Sequence, residues 1–298
     1  MSINWFPGHM LAAIVATKKA LAVHDVVIEV LDARCPAASS NPQIATMREF
    51  RQRPALIVLN KADLADPAAT ALWLAFFNAQ PNRKAIAISA KKPADVAKLV
   101  PAAQKLAPHR TGLTKGLRLL IMGIPNVGKS TLINAMLKKR VAKVGDEPAV
   151  TKFVKRYDLG FDLTLTDTPG LTWPKIAQPS DGLMLAASHA IGVNAYIDSE
   201  VAVYLADCLI AQYPSLLIER YYSHGASTPA ADGVALIEAI ATKRGYRGKG
   251  GKLDLDKAAV TLLQDYRSGL LGRISLETPA SRVTRLAEQR HEPISDAS

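Results

Sequence analysis

The chain has 298 residues, 49% of them hydrophobic, and a formal net charge of +11 with a sequence pI ≈ 9.6. This length predicts one or two domains. No stretch offers ~18 uninterrupted apolar residues, which excludes the membrane-spanning class, and the N-terminus lacks the basic and apolar regions of a signal peptide. We therefore expect a cytoplasmic protein without a membrane partner. The basic balance favours an anionic partner, most simply nucleic acid.

Strand–helix units run through the first 170 residues. Apolar runs predict strands, and helical periodicity predicts the helices between them. The predicted strands cover residues 26–31, 54–59, 85–88, 117–122, 154–159 and 163–166, and the predicted helices cover residues 10–21, 42–51, 69–77, 94–106 and 132–137. Repeated units with polar turns at the strand ends predict a doubly wound, mostly parallel α/β sheet.

Residues 123–131, GIPNVGKST, have the G-x-x-x-x-G-K-S spacing of a phosphate-binding P-loop between a predicted strand and a predicted helix. Its glycines let backbone N–H groups turn inward around phosphate oxygens, and the helix N-terminus adds partial positive charge. We expect Lys129 to reach the β- and γ-phosphates and the Ser130 hydroxyl to bind Mg²⁺. The predicted phosphate-binding residues are Asn126, Val127, Gly128, Lys129, Ser130 and Thr131.

Two short motifs before the P-loop predict that the base is guanine. The sequence N-K-A-D at residues 60–63 follows a predicted strand, and the Asp63 carboxylate can accept hydrogen bonds from guanine N1–H and the N2 amino group. Adenine offers neither in that arrangement and would leave the carboxylate unpaired. We expect Asn60 and Lys61 to brace this loop, and Ser89-Ala90 to supply a backbone N–H to guanine O6.

The γ-phosphate side of the predicted site follows the P-loop in the chain. The motif Asp167-x-x-Gly170 would supply an acid on the Mg²⁺ side and a backbone N–H for the γ-phosphate. Thr151 is the best candidate for a mobile threonine that touches Mg²⁺ when GTP is bound, with an ordinary loop threonine as the alternative. GTP or GDP with Mg²⁺ is therefore the predicted cofactor set.

The positive charge is concentrated before residue 181. From Asp181 onward 12 Lys and Arg accompany 14 Asp and Glu, a net charge of −2, so the preceding residues carry +13. The phosphates of a bound nucleotide would balance part of this excess positive charge. The basic cluster between residues 138 and 156 is too large to be explained by nucleotide binding alone. An ordinary solvated basic face is the alternative. The cluster comprises Lys138, Lys139, Arg140, Lys143, Lys152, Lys155 and Arg156.

The order of these motifs resembles that of the circularly permuted GTPases. In most GTPases the P-loop, the Mg²⁺-binding threonine and D-x-x-G precede the N-K-x-D and S-A motifs. In this chain N-K-x-D and S-A come before the P-loop. The segments W-F-P-G-H-M at 5–10, D-A-R-C-P at 32–36 and P-G-L-T-W-P at 169–174 are similar to those of the YlqF/RbgA ribosome-assembly type. The resemblance extends to residue 272. It implies GTP hydrolysis in late maturation of the large ribosomal subunit precursor, with rRNA contact through a C-terminal helical domain.

The resemblance also implies how hydrolysis would proceed. Leu171 stands where other GTPases usually carry the glutamine that orients water, so hydrolysis is expected to be slow alone and stimulated by the ribosomal subunit. The family assigns the missing role to His9, for which a structural histidine in a docked N-terminal cap is the alternative. Asn126 matches the asparagine of potassium-stimulated GTPases and implies a K⁺ ligand, or else merely caps the loop. The predicted catalytic group is His9, Lys129, Thr151 and Gly170.

The C-terminal half is predicted as a small all-α domain, with helices at 183–191, 199–212, 233–242 and 256–268. We expect a GTPase domain with its N-terminal extension at 1–176, a helical RNA- or ribosome-binding domain at 177–280, and a poorly ordered polar tail at 281–298. The basic, glycine-rich residues 243–252 suit contact with a phosphate backbone and base stacking by Tyr246, or form a flexible solvated loop.

Two alternatives to a ribosome-directed GTPase stay open at this point. The first is a GTP-dependent factor with a different RNA target, and the second is a structural RNA-binding protein that does not hydrolyse GTP. The intact Lys129, Ser130, Asp167 and Asp63 argue against the second. The chain is expected to act as a monomer.

Overall fold

A six-stranded sheet with helices on both faces forms the first part of the protein. The computed structural model describes residues 10–110, 116–139, 154–160, 162–170, 176, 178–222 and 230–291. In chain order the elements of the sheet domain are α1 (Met10–Val23), β1 (Val26–Asp32), α2 (Pro36–Ser39), α3 (Pro42–Phe50), β2 (Ala55–Asn60), α4 (Pro67–Asn78), β3 (Arg83–Ala87), α5 (Pro93–Val96), α6 (Leu99–Gln104), β4 (Leu117–Met122), α7 (Lys129–Leu137), β5 (Lys155–Gly160) and β6 (Leu163–Asp167).

The strand order is β3-β2-β1-β4-β6-β5. Every neighbouring pair is parallel except β5 and β6, which pair antiparallel. The order runs outward in both directions from β1 and β4, so the chain reverses its winding between these two strands. A crevice at such a reversal, beyond the carboxyl ends of the strands, is the usual ligand site of a doubly wound sheet. The predicted fold class is confirmed.

Longer helices dominate the second part of the protein. They are α8 (Pro179–Ala187), α9 (Asp198–Gln212), α10 (Pro214–Tyr221), α11 (Gly233–Arg244), α12 (Leu255–Ser268) and α13 (Pro279–His291). Asp232 and Asp254 cap α11 and α12 through their side chains, and Gly245 and Gly269 end these helices in the left-handed conformation. No single helix among the described residues is long and apolar enough to span a membrane, whereas α9 and α10 meet the criterion only when joined across their 114° bend.

Alternate residues of β1 face two different cores. Val26, Ile28 and Val30 belong to one continuous apolar cluster with residues of α8, α9, α11 and α12. Val27 lies in a smaller cluster with residues of α1 and α3, on the opposite face. The period-two alternation of a strand produces this division. The helical domain therefore shares one continuous apolar core with this face of the sheet, and α8 packs against α2.

The helices differ from the sequence predictions at two places. The helix predicted at 94–106 is split into α5 and α6 at residues 97–98, because Pro101 cannot donate to the carbonyl of Ala97 and its ring clashes with that group. The polar tail predicted at 281–298 is helical as far as His291. Arg285 pairs with Glu277 at 2.7 Å, and Arg282 pairs with Asp181, so two ion pairs fix α13 to the body of the protein.

Candidate nucleotide site

The predicted nucleotide-binding motifs meet at one edge of the sheet. Because the strands are parallel, the carboxyl ends of β1, β2, β3, β4 and β6 lie together. Each of these ends carries polar residues or a glycine-rich turn that the sequence analysis singled out. They are Asp32 on β1, Asn60 on β2, Ser89 after β3, the P-loop after β4 and Asp167 on β6.

The P-loop backbone has a conformation that glycine alone accommodates at two positions. Gly128, immediately before α7, has φ +97°, and a Cβ there would lie 2.3 Å from Asn60 Nδ2. Gly123 has φ +150°, and its Cβ would lie 2.5 Å from the carbonyl oxygen of Val30. These close approaches hold the loop against β1 and β2 and leave its backbone around the N-terminus of α7, where anions are favoured.

Lys129 lies folded over its own loop. Its ammonium donates to the carbonyl oxygens of Gly123 and Ile124 at 2.9 and 2.7 Å, and the side chain is buried. Burial lowers the pKa of Lys129 to about 8, against the opposing effect of the Asp167 carboxylate. Phosphate oxygens, which are anionic, are stronger acceptors than carbonyls and would compete for this ammonium.

Asn60 connects the P-loop with the loop after β3. Its Nδ2 donates to the carbonyl oxygen of Val127 in the P-loop at 2.8 Å, and its Oδ1 accepts from the Ala90 N–H at 3.0 Å. The Ser89 N–H donates to Asp95 Oδ2 at 3.0 Å. Both N–H groups proposed for guanine O6 therefore have an acceptor within the protein. Binding O6 requires one of them to be shared with, or released from, that acceptor.

A buried ion-pair network behind the guanine motif was not predicted. Asp32 accepts from Arg34 Nε and Nη2 at 2.9 and 2.8 Å and from Lys61 Nζ at 2.8 Å. Burial alone would raise the pKa of Asp32, but the two cations hold it well below its usual range. Arg34 also donates to the carbonyl of Ser188 at 3.2 Å and lies 4.9 Å from the centroid of the Tyr266 ring. Through this pair Lys61 is connected to the helical domain.

The γ-phosphate motif lies against the P-loop. Asp167 is 1% exposed at the end of β6. A Cβ at Gly170 would lie 3.1 Å from the Pro125 nitrogen and 3.3 Å from Lys129 Nζ, so this glycine allows the two loops to approach. Asp63 is half-buried in the turn after β2. His9, Thr151 and Leu171 lie outside the described residues, and the roles assigned to them stay predictions.

Asn126 connects the P-loop to the helical domain. Its backbone has φ +57°, and its Nδ2 donates to the carbonyl oxygen of His189 at 2.9 Å. His189 follows α8 and itself has φ +62°. The sequence predicts Asn126 to be either a K⁺ ligand or a residue that caps the loop. This contact across the domain boundary was not foreseen, because His189 is 63 residues further along the chain.

The residues at this edge fit a nucleotide with a divalent cation. Two glycines at which a Cβ would collide shape the phosphate loop, and Lys129 provides a cation within it. Ser130 and Thr131 lie in the first turn of α7 and are half-buried. The buried Asp167 carboxylate supplies a hard oxygen ligand of the type Mg²⁺ prefers. The donor set therefore matches phosphate and Mg²⁺ chemistry.

Comparisons with known proteins agree with this geometry. A family model described as 50S ribosome-binding GTPase matches residues 118–224. Ribosome biogenesis GTPase A of Bacillus cereus is 40% identical over 286 residues, which cover 94% of this chain and 95% of that protein. The protein of the same name from Thermotoga maritima is 30% identical over 93% of this chain and 95% of that protein. GDP-bound TM YlqF has a TM-score of 0.64 at 26% identity, over 89% of this chain and 99% of that one. The chain thus belongs to the YlqF/RbgA family of ribosome biogenesis GTPases, whose members hydrolyse GTP.

Proposed function

We propose that this GTPase acts as a switch in late assembly of the large ribosomal subunit and contacts rRNA. The names of its relatives, ribosome biogenesis GTPase A, and the description of the matching family, 50S ribosome-binding GTPase, support the ribosomal role. The excess of positive charge supports an anionic partner.

One observation carries the proposal of a switch: the nucleotide loops contact the helical domain directly. Asn126 of the P-loop donates to the His189 carbonyl, and Arg34 joins the Asp32–Lys61 pair to the Ser188 carbonyl. A change in the loops on GTP binding or hydrolysis therefore acts on contacts that position the helical domain. Order–disorder changes of this kind are the usual device of GTPase switches.

In the proposed mechanism Lys129 binds the β- and γ-phosphates, and Ser130, Asp167 and Thr151 hold Mg²⁺. GTP supplies the scissile γ-phosphoanhydride bond when it is bound. His9 orients the attacking water, since Leu171 has no hydrogen-bonding group. K⁺, held in part by Asn126, would add positive charge beside the phosphates.

The RNA contact is proposed for the loop between α11 and α12. Its basic residues Lys249 and Lys252 are exposed. The loop is ordered by a bridge between Arg247 and Leu253 and by the hydrogen bond from the Gly248 N–H to the Lys252 carbonyl at 2.8 Å. The sequence suggested base stacking by Tyr246, the aromatic residue of this segment. The Tyr246 ring instead packs against the core and lies 4.5 Å from Lys257 Nζ, which disfavours stacking on a base. The exposed lysines of this loop are therefore proposed to contact phosphate groups of the RNA backbone.

The test is GTP hydrolysis with and without purified large ribosomal subunits, in K⁺ and in Na⁺. We expect strong stimulation by subunits, greater in K⁺, and its loss in His9→Ala with GTP binding retained. Asp63→Asn tests base recognition separately. It replaces one of the two acceptor oxygens of the carboxylate with an amide N–H donor and should transfer preference from GTP to XTP. Stimulation by other RNAs but not by subunits would refute the ribosomal role and favour a factor with a different RNA target.

A further inference from the structure

A polar cavity lies at the edge of the sheet opposite the nucleotide site. It has a volume of about 640 Å³. The end of α3 and the turn before β3 form its walls, at the amino ends of β2 and β3, where the Ala55 N–H donates to the Asn82 carbonyl at 3.0 Å. The lining residues are Arg48, Glu49, Gln52, Gln80, Pro81, Asn82 and Arg83. Most of them offer guanidinium or amide donors, which suits a ligand rich in oxygen acceptors.

The cavity carries more positive than negative charge. Arg48 Nη2 and Arg83 Nη2 both donate to the same oxygen of Glu49, at 3.2 and 3.0 Å. One oxygen of Glu49 therefore accepts from both guanidinium groups, and the buried Glu29 carboxyl, whose pKa burial raises, also interacts electrostatically with them. Burial lowers the pKa of Arg48 and the neighbouring Arg83 lowers it further, against the opposing effects of Glu29 and Glu49. A bound anion would relieve the repulsion between the two cations. Arg51 and Lys84 are exposed beside the cavity and add to the positive field.

An exposed aromatic ring adjoins this charge. Phe50, the last residue of α3, is 80% exposed. The guanidinium carbon of Arg51 lies 5.6 Å from the centroid of its ring. A phenylalanine this exposed does not stabilise the fold by burial, whereas an open ring beside cations is a platform on which a nucleic-acid base can stack.

We propose that this cavity and Phe50 form a second RNA-binding surface, which binds single-stranded RNA. Arg83 contacts a backbone phosphate, with the buried Arg48 adding positive charge behind it. The amide side chains of the cavity bind polar groups of the same nucleotide, and a neighbouring base stacks on Phe50. The inference rests on the proposal that RNA is the partner, but it concerns a different surface from the loop between α11 and α12. An acidic peptide would satisfy the arginines, but it would not use the open ring for stacking.

The test is fluorescence anisotropy of a labelled single-stranded RNA of about 12 nucleotides with the full chain, over a range of salt concentrations. Phe50→Ala should weaken binding roughly tenfold through lost stacking. Arg83→Gln should reduce the slope of log affinity against log salt by about 0.7, the value for one phosphate contact on a single strand. Leu72→Ala, which removes an exposed apolar side chain on α4, is the control for Phe50→Ala. Lys105→Gln, which removes an exposed charge after α6, controls for Arg83→Gln.

Several outcomes would overturn the proposal. Unchanged binding in Phe50→Ala and Arg83→Gln, with weaker binding in Lys249→Gln, would place RNA on the C-terminal loop alone and leave the proposed function intact. No RNA binding by the unmodified chain would count against rRNA contact altogether. Binding of labelled polyglutamate that is lost in Arg83→Gln, with RNA binding unchanged in the same variant, would assign the cavity to an acidic peptide. Competition by inorganic phosphate without any effect of Phe50→Ala would reduce it to a small-anion site.

Discussion

Replacing Arg34 with alanine tests whether the buried network behind the guanine motif stabilises the fold. The Arg34 side chain is 2% exposed and its partner Asp32 is 1% exposed. The substitution removes both hydrogen bonds to Asp32, the bond to the Ser188 carbonyl and the contact with the Tyr266 ring. It leaves a buried carboxylate balanced by the Lys61 ammonium, which is 24% exposed.

The magnitude follows from the burial of the pair. Removing one partner of a buried ion pair costs about 3–5 kcal/mol, because the other charge stays desolvated. Lys61 still compensates part of the Asp32 charge, so we expect a loss of about 3 kcal/mol in the free energy of unfolding. Arg34→Lys keeps the charge but loses the bidentate geometry, and its loss should be intermediate.

The assay is urea unfolding followed by circular dichroism, with the nucleotide concentration held constant. Lys98→Ala is the matched control, since Lys98 pairs with Asp95 at 2.7 Å on the surface and is 60% exposed. Exposed pairs of this kind contribute about 0.2–1 kcal/mol. A loss in Arg34→Ala no larger than that of Lys98→Ala would refute the reasoning.

Three further predictions concern single side chains. Burial lowers the pKa of His24 below its unfolded value, so its contribution to stability is present above about pH 6.5 and is lost as the pH falls through the folded pKa. The unmodified chain should therefore lose more free energy of unfolding than His24→Gln between about pH 7 and pH 5, measured by urea unfolding. The pKa of Lys129 is about 8, so GDP binding above that pH should be accompanied by uptake of a proton by the Lys129 amine. The affinity for GDP should then fall by up to about tenfold per pH unit. Calorimetry would measure both effects. Glu277→Gln should lower the free energy of unfolding by about 1.5–3 kcal/mol, because the carboxylate accepts from the Ala37 N–H at 2.6 Å and from Arg285 at 2.7 Å.

Each of these has its own control. Parallel stability curves for the unmodified chain and His24→Gln across this pH range would show that His24 does not titrate there. In Lys129→Arg the side chain stays charged at all relevant pH values. If the GDP affinity of this variant fell above pH 8 as much as that of the unmodified chain, the effect would belong to another group. For Glu277, Glu288→Gln removes an exposed carboxylate of α13, and an equal loss in both variants would contradict the proposed contacts.

The nucleotide edge could be predicted from the sequence because its signals are local. The P-loop needs glycines at 123 and 128 for its own backbone, and the strand before it and the helix after it adjoin it in the chain. Parallel pairing then brings the ends of separate strands to one edge, so the positions of Asn60 and Asp167 follow from strand order. The fold class was predicted for the same reason.

The contacts between the sheet and the helical domain were decided only by the tertiary structure. Arg34 and Ser188 are 154 residues apart, and Glu277 accepts from the Ala37 N–H across 240 residues. No periodicity or local motif records such pairs, since each partner taken alone is an ordinary polar residue. The same holds for α13: its composition indicates a solvated tail, and its order comes from acidic partners elsewhere in the fold. The sequence by itself therefore determined the chemistry of the nucleotide loops, and the packing of distant segments determined how those loops are connected to the rest of the protein.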